Sequence, residues 1–120
     1  DRPEWVAVNA TTREVFCSLT NNTRRGTEGH PGVDAAHPRA RNSMGHIIRW
    51  REEGDFDGET FSWDVFLLAG DPANARAEAQ GNIRGDAFAN PDGLWVDARG
   101  VLWIQTDMSA SVMGRGEFAR

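Results

Sequence analysis

The feature that most constrains the fold of this chain is an internal repeat. Residues 90–107 form one copy, and residues 3–21 form a second, degenerate copy with Pro, an acid, an apolar residue and Val in equivalent places. In each copy, two apolar arms enriched in β-branched or aromatic residues flank a turn-like centre, a pattern that predicts a β-hairpin. Self-similarity over a long period is typical of repeat architectures, although two amphipathic hairpins can also resemble each other by coincidence.

Two further strands are predicted between the copies. Residues 46–51 alternate in the manner of a strand, and residues 61–70 follow them across a turn rich in Gly and Asp, so together they predict another hairpin. Residues 71–81 predict a short helix, because they begin with a capping Asp and a Pro, continue with Ala-rich sequence and end at Gly. Residues 22–45 are rich in Gly, Pro, Asn and Arg and predict a long loop.

Four strands followed by a new pair of strands are typical of a β-propeller, in which each blade starts with the strand nearest the central channel. We therefore predict an all-β, β-propeller fragment, with about one four-stranded antiparallel blade, the inner hairpin of the next blade and one short helix. The partial propeller domain covers residues 1–120. Its predicted parts are one blade with a long loop at residues 1–88, the start of the next blade at residues 89–107 and a truncated tail at residues 108–120.

In this architecture the acids of the two copies, Glu4 and Asp92, occupy the same place in adjacent blades and lie close together at one mouth of the channel. Carboxylates that converge repel each other unless a cation lies between them, and hard cations bind oxygen ligands. Both acids follow a Pro, however, and acids in such positions also serve as turn residues at strand ends. The residues alone leave a metal site and a turn role open.

Composition limits the partners of the chain. The net charge is −5, and all 13 basic residues are Arg. An acidic balance argues against nucleic acid, since neutralising phosphates requires a basic face, and no stretch is long and apolar enough to span a bilayer. Arg24 and Arg25 are expected to be solvated. His30, His37 and His46 match no metal-ligand spacing and are expected to be ordinary surface or loop histidines.

Four separated motifs lie at residues 1–8, 19–22, 42–50 and 86–95. In their sequence and order they resemble the C-terminal part of the PhoX-type secreted alkaline phosphatases, and the likeness covers most of residues 1–107. The resemblance implies a large β-propeller enzyme, exported by the twin-arginine route to the periplasm or the medium, that hydrolyses phosphate monoesters with calcium and iron at the channel mouth.

The resemblance also implies site residues. In that family an Arg-Pro-Glu motif supplies a phosphate-contacting arginine and a metal-bridging glutamate, which match Arg2 and Glu4 here. A Pro-Asp-Gly motif supplies a further metal ligand, which matches Asp92. These roles agree with chemistry, because a guanidinium forks onto phosphate oxygens and clustered cations generate a nucleophile and stabilise charge on the phosphoryl group.

We expect the chain alone to bind metal weakly and to lack phosphatase activity. Most of the propeller, including the part where the family keeps an iron-binding cysteine, lies outside these 120 residues, and both ends look cut. Incomplete propellers leave unpaired strand edges, so self-association through those edges is expected. Parts of residues 22–45 and 110–120 are expected to be mobile.

Two other functions stay open. The Asn-Pro-Asp-Gly-Leu run at residues 90–94 also fits a gluconolactonase-like, calcium-dependent propeller hydrolase, although the motif at residues 2–4 and the strand at residues 45–50 favour the phosphatase. The third reading is a non-catalytic propeller binding module. In all three, the five tryptophans are expected to be core or inter-blade residues.

Overall fold

The computed structural model describes residues 1–113, apart from the side chains of Ser111 and Val112. Within that range the chain is nearly all-β, with a single four-residue helix near the end. The elements are β1 (Arg2–Asn9), β2 (Glu14–Thr20), β3 (His46–Glu52), β4 (Phe61–Leu68), β5 (Pro91–Val96), β6 (Leu102–Thr106) and α1 (Ala110–Met113).

The strands form two antiparallel sheets. One has four strands in the order β1-β2-β3-β4, and the other consists of β5 and β6. All six strands were predicted from the apolar patterns, and the arrangement agrees with a propeller blade followed by a further hairpin. The predicted tail at residues 108–120 contains α1, and its last part, residues 114–120, lies outside the described residues.

A small apolar core joins the two sheets. Leu94 of β5 is 4% exposed and packs with Ala7 of β1, Phe16 of β2 and Ile47 of β3. The partly buried residues around this cluster are Leu67, Val96, Leu102 and Ile104. The second hairpin is thus docked on one face of the four-stranded sheet through the side chains of β5.

The hairpins β1–β2 and β5–β6 have the same kind of side-chain cap in their turns. In each turn a side-chain oxygen accepts two backbone N–H groups, which relieves unpaired donors in a tight loop. The pairs are Thr11 and Thr12 on Asn9 Oδ1 at 3.0 and 3.2 Å, and Arg99 and Val101 on Asp97 Oδ1 at 2.9 and 3.0 Å. The residue before each second arm has a positive φ, 63° at Arg13 and 82° at Gly100. The repeat seen in sequence is therefore matched in backbone geometry.

The helix predicted at residues 71–81 is wrong, because this segment forms a series of turns. Asn74 Oδ1 accepts the N–H of Arg76 at 3.0 Å, a local bond that competes with helical hydrogen bonding. The carbonyl of Glu78 accepts the N–H of Ser43 at 3.3 Å, so a tertiary contact takes the acceptor that a helix would use internally. Local propensity was overruled by contacts with the long loop.

Arg39 clamps the long loop onto the sheet. This side chain is buried, and its Nη1 donates to the carbonyls of Ala69 and Gln80 at 2.7 and 2.8 Å. Its Nη2 donates to Asn42 Oδ1 at 2.8 Å and to the carbonyl of Gly45. Burial lowers the pKa of the guanidinium to about 10, which still leaves it charged at neutral pH. The loop is thereby fixed by hydrogen bonds rather than by secondary structure.

The tryptophans do not form the core of this chain. Trp5, Trp63, Trp95 and Trp103 are between 44% and 68% exposed, and the buried clusters of the described residues contain no tryptophan. Of the two roles expected for them, a core role within residues 1–113 is wrong. The role between blades stays a prediction.

Candidate functional site

The two candidate carboxylates lie in matching irregularities of their strands. The register of β1 against β2 shifts across Glu4, and the register of β5 against β6 shifts across Asp92 and Gly93. A bulge leaves a residue without a cross-strand partner and changes the direction of its side chain, which is why bulges are frequent near active sites. Both acids therefore depart from the regular alternation of their strands at the same place in each hairpin.

One buried hydroxyl connects the two irregular stretches. Ser18 of β2 is fully buried, and its Oγ donates to the carbonyl of Asp92 at 2.6 Å while accepting the N–H of Trp5 at 3.0 Å. Trp5 directly follows Glu4 in β1. The backbone next to Glu4 and the backbone of Asp92 are thus held on opposite sides of one oxygen atom, which brings the starts of β1 and β5 together.

The carboxylate groups themselves are uncommitted. Within residues 1–113 neither Glu4 nor Asp92 makes a side-chain hydrogen bond or ion pair, with Glu4 exposed and Asp92 half-buried. Asn90 Oδ1, two residues before Asp92, is buried without a hydrogen-bond partner in the same range. Carboxylate and amide oxygens are the donors that calcium prefers.

These oxygens fit only part of a metal site. Calcium takes roughly six to eight oxygen ligands, and the described residues contain no group of three or more His, Cys, Asp or Glu side chains placed to hold an ion. Glu4, Asp92 and the Asn90 amide oxygen could therefore contribute ligands, while the remainder must come from other groups.

Arg2, at the start of β1, is held by Asn21. Its Nε donates to the Asn21 carbonyl at 3.1 Å and its Nη2 donates to Asn21 Oδ1 at 2.9 Å. The guanidinium is exposed, and its Nη1 has no partner among the described residues. A guanidinium fixed on one edge and free on the other is preorganised to bind an oxyanion.

A buried polar network anchors the strand that carries Arg2 and Glu4. The Asp1 carboxylate is fully buried, with Arg25 Nε at 3.4 Å and Asn42 Nδ2 at 2.8 Å. Asn42 Oδ1 also accepts the N–H of Gly45 at 2.9 Å. Arg25 was expected to be solvated, but it is 8% exposed because it pairs with the Asp1 carboxylate and donates to the Gly32 carbonyl at 2.9 Å.

His46 belongs to the same network, and its description as a surface or loop histidine is wrong. It is fully buried at the start of β3, with Nε2 2.7 Å from the carbonyl of Ala36 and Nδ1 3.1 Å from Asn42 Nδ2. A carbonyl can only accept, so Nε2 carries the hydrogen and Nδ1 accepts from the Asn42 amide. Burial lowers the pKa of His46 to about 4, and the imidazole is neutral at physiological pH.

Arg2, Glu4 and Asp92 stay predicted site residues, and the groups that position them were not identified from the sequence. Ser18 gives no signal of its own, since a serine in an apolar arm is ordinary. The run from Asn42 to His46 gives a usable signal, because a polar Asn-x-x-Gly-His stretch leads directly into an apolar strand. His30 is exposed and His37 half-buried, and His37 Nδ1 lies 2.8 Å from Asp34 Oδ1.

Comparisons with known proteins give consistent results. The family model described as alkaline phosphatase PhoX matches residues 1–118. Among solved structures, the chain is similar to Pseudomonas fluorescens PhoX in complex with vanadate, a transition state analogue, with a TM-score of 0.85 and 43% identity. That match covers 99% of this chain and 21% of the other, so the chain spans about a fifth of the length of the solved protein. A search of curated proteins gave no match.

Proposed function

Because the chain belongs to the PhoX alkaline phosphatase family, we propose that it forms part of the active site of a metal-dependent phosphatase that hydrolyses phosphate monoesters. The main support is the pair of matching bulges, which present two uncommitted carboxylates at strand starts joined by the Ser18 hydroxyl. A turn role for these acids would be expected to use their oxygens as backbone caps, and within residues 1–113 the oxygens are unused.

Each residue has a role that its environment supports. Arg2, fixed by Asn21, binds the phosphate oxygens of the substrate and orients the phosphoryl group. Glu4 and Asp92 hold metal ions, for which calcium and iron are the candidates, and Asn90 Oδ1 offers an additional oxygen for calcium. The metals, when bound, supply an activated nucleophile and stabilise negative charge on the phosphoryl group.

The described residues hold too few ligands for a complete site, so the 120-residue chain alone is inactive and binds metal weakly. The complete protein is exported to the periplasm or the medium. Within residues 1–113 no helix has the length and apolar character needed to cross a membrane. Self-association of the isolated chain would occur at β1 and β4, the outer strands of the four-stranded sheet, where Val6, Val8 and Phe61 are exposed.

The proposal is tested with the longer protein that carries this chain, purified with its metals and assayed on a phosphate monoester and on a lactone. Hydrolysis of the ester alone is the expected result, and Glu4→Gln and Asp92→Asn should each lower both bound metal and turnover. Hydrolysis of the lactone alone would support the gluconolactonase-like alternative, and hydrolysis of neither substrate would support a non-catalytic module. Turnover by the isolated 120-residue chain would overturn its proposed inactivity.

A further inference from the structure

A polar pocket of about 490 Å³ lies beside Arg2. It is formed where the end of β2 runs into the long loop. The residues that line it are Arg2, Asn21, Asn22, Thr23, Arg24 and His30. Among residues 1–113 no acidic residue lines this pocket, although the chain as a whole carries 18 Asp and Glu residues.

Arg24 differs from the arginines that have structural partners. Arg25, Arg49 and Arg99 each lie within ion-pair distance of a carboxylate. The Arg24 guanidinium is exposed and has no partner among residues 1–113, as is also true of the Arg2 Nη1 group. Both guanidinium groups line one pocket, and an anion bound there would interact favourably with each of them.

Other donors in the pocket are also available. The Thr23 hydroxyl has no partner in the described part of the chain. The backbone around Arg24 is fixed, because its N–H donates to Asn22 Oδ1 at 3.0 Å and its carbonyl accepts the hydroxyl of Thr27 at 2.7 Å. The pocket therefore combines a rigid backbone with uncommitted donors, an arrangement suited to anionic oxygens.

We infer that Arg24 makes this pocket a subsite for a second anionic group on the substrate, so that the enzyme prefers phosphate monoesters whose alcohol part carries a carboxylate or a further phosphate. This inference rests on the proposed function, in which Arg2 binds the phosphoryl group that is transferred. Arg24 shares a pocket with Arg2 and is therefore a specificity-determining residue. It binds the alcohol part of the substrate and takes no part in the bond cleavage.

The test compares 3-phosphoglycerate, which carries a carboxylate, with glycerol 1-phosphate, which does not. In the metal-loaded longer protein, kcat/KM should be higher for 3-phosphoglycerate, and Arg24→Gln should reduce the ratio of the two kcat/KM values by about tenfold, mainly through KM, as expected for the loss of one charge-assisted hydrogen bond. Arg84→Gln, which removes an exposed arginine outside the pocket, should leave the ratio unchanged. A wild-type ratio near one, or an unchanged ratio in Arg24→Gln, would overturn the inference.

A second measurement separates this inference from the proposed function. Binding of the same two compounds to the 120-residue chain is followed by NMR, with the backbone amides of residues 21–24 as reporters. If neither ester is hydrolysed, the proposed function is wrong, and the binding data alone then show whether the pocket prefers the compound that carries a carboxylate. Tighter binding of 3-phosphoglycerate that is lost in Arg24→Gln supports the subsite, and equal binding of the two compounds refutes it.

Discussion

The hairpins β1–β2 and β5–β6 share a local design but differ in their surroundings. Each has a side-chain cap in the turn, a residue with positive φ and a bulge that contains an acid. In the first hairpin, β2 is covered on both sides by β1 and β3, and six of its seven residues are buried. In the second, β6 pairs only with β5 within residues 1–113 and contains no fully buried residue.

This difference shows which properties are local. The bulges and turns recur in both hairpins, so they depend on the pairing of the two strands within each hairpin and need no complete sheet. The stability of each hairpin depends instead on its neighbours, and the second hairpin depends on the contacts that β5 makes with β1 and β2 and on the apolar cluster around Leu94. Three substitutions and one titration test whether the turns and bulges are local and whether the stability of each hairpin depends on neighbouring strands.

The largest effect is expected for Leu94→Ala. Leu94 is the buried contact of the second hairpin with the first sheet, and truncating a buried leucine costs about 3 kcal/mol. Hydrogen exchange should show loss of protection in β5 and β6, with β2 and β3 retaining theirs. Leu102→Ala, at a half-buried position of β6, serves as the milder control. Equal loss of protection in both sheets would mean that the two hairpins form one cooperative unit.

Ser18→Ala is expected to destabilise the chain by about 2 kcal/mol, because it leaves the carbonyl of Asp92 and the N–H of Trp5 without their shared partner. Urea denaturation measures the change, and the NMR shift of the Trp5 amide shows whether the bond is lost. Ser62→Ala, at an exposed position of β4, should have little effect. If the NMR shift of the Trp5 amide is unchanged in Ser18→Ala, the Ser18 hydroxyl does not link the two hairpins.

Arg13→Gly should stabilise the first hairpin by about 0.5–1 kcal/mol. Arg13 has a φ of 63°, a conformation that is unfavourable for residues with a Cβ, and the equivalent position in the second hairpin is Gly100. The reverse substitution, Gly100→Arg, should cost a similar amount. The midpoint of urea denaturation reports both. If Arg13→Gly destabilises the chain instead, the two turns are not equivalent.

The smallest effect is a pH dependence confined to the second turn. Hydrogen bonds from Arg99, then from the Trp103 indole and the Val101 N–H, lower the pKa of Asp97 from 3.8 to about 2. A depressed pKa means that the carboxylate stabilises the fold above about pH 4 and that this contribution is lost as the pH falls toward 2. Asn9, its counterpart in the first turn, does not titrate.

NMR of the Trp103 indole N–H, which donates to Asp97 Oδ2 at 3.1 Å, follows this titration directly. The signal should shift with a midpoint near pH 2 in the native chain, whereas the Thr11 amide on Asn9 should not respond. In Asp97→Asn the low-pH transition of the indole should disappear. A midpoint near the ordinary aspartate value would show that the turn exerts no electrostatic control over Asp97.

The strands could be predicted from the sequence because alternation and apolar arms act locally, and all six predicted strands are present. The helix at residues 71–81 could not be excluded, since its capping signals are local and the contacts that overrule them come from the loop around Ser43. Buried polar groups were missed for the same reason. His46 is hydrogen-bonded to Ala36 and Asn42, and such partners are set by the fold rather than by the spacing of residues in the sequence.

The positions of Glu4 and Asp92 could be predicted only in part. Their equivalence was visible in the repeat, and the approach of the starts of β1 and β5, which share the Ser18 hydroxyl, agrees with the propeller arrangement predicted for the strands. Their positions in bulges and the hydroxyl between the bulges were not predictable, because a register shift depends on the pairing strand. The register shift at Glu4 becomes apparent only when β2 is paired with β1.

The Arg39 clamp has a consequence for the order in which the chain folds. Its partners Ala69 and Gln80 lie 30 and 41 positions away along the sequence, and Asn42 reaches the Asp1 carboxylate across 41 positions. Hairpins close over short separations and form early, whereas contacts of this range pay a larger loop-closure entropy and form late. The hairpins β1–β2, β3–β4 and β5–β6 can thus form first, whereas the β2–β3 pairing, which joins Leu19 to His46, closes over a range similar to that of the Arg39 clamp. We therefore expect the clamp and the completed four-stranded sheet to form together, after the hairpins.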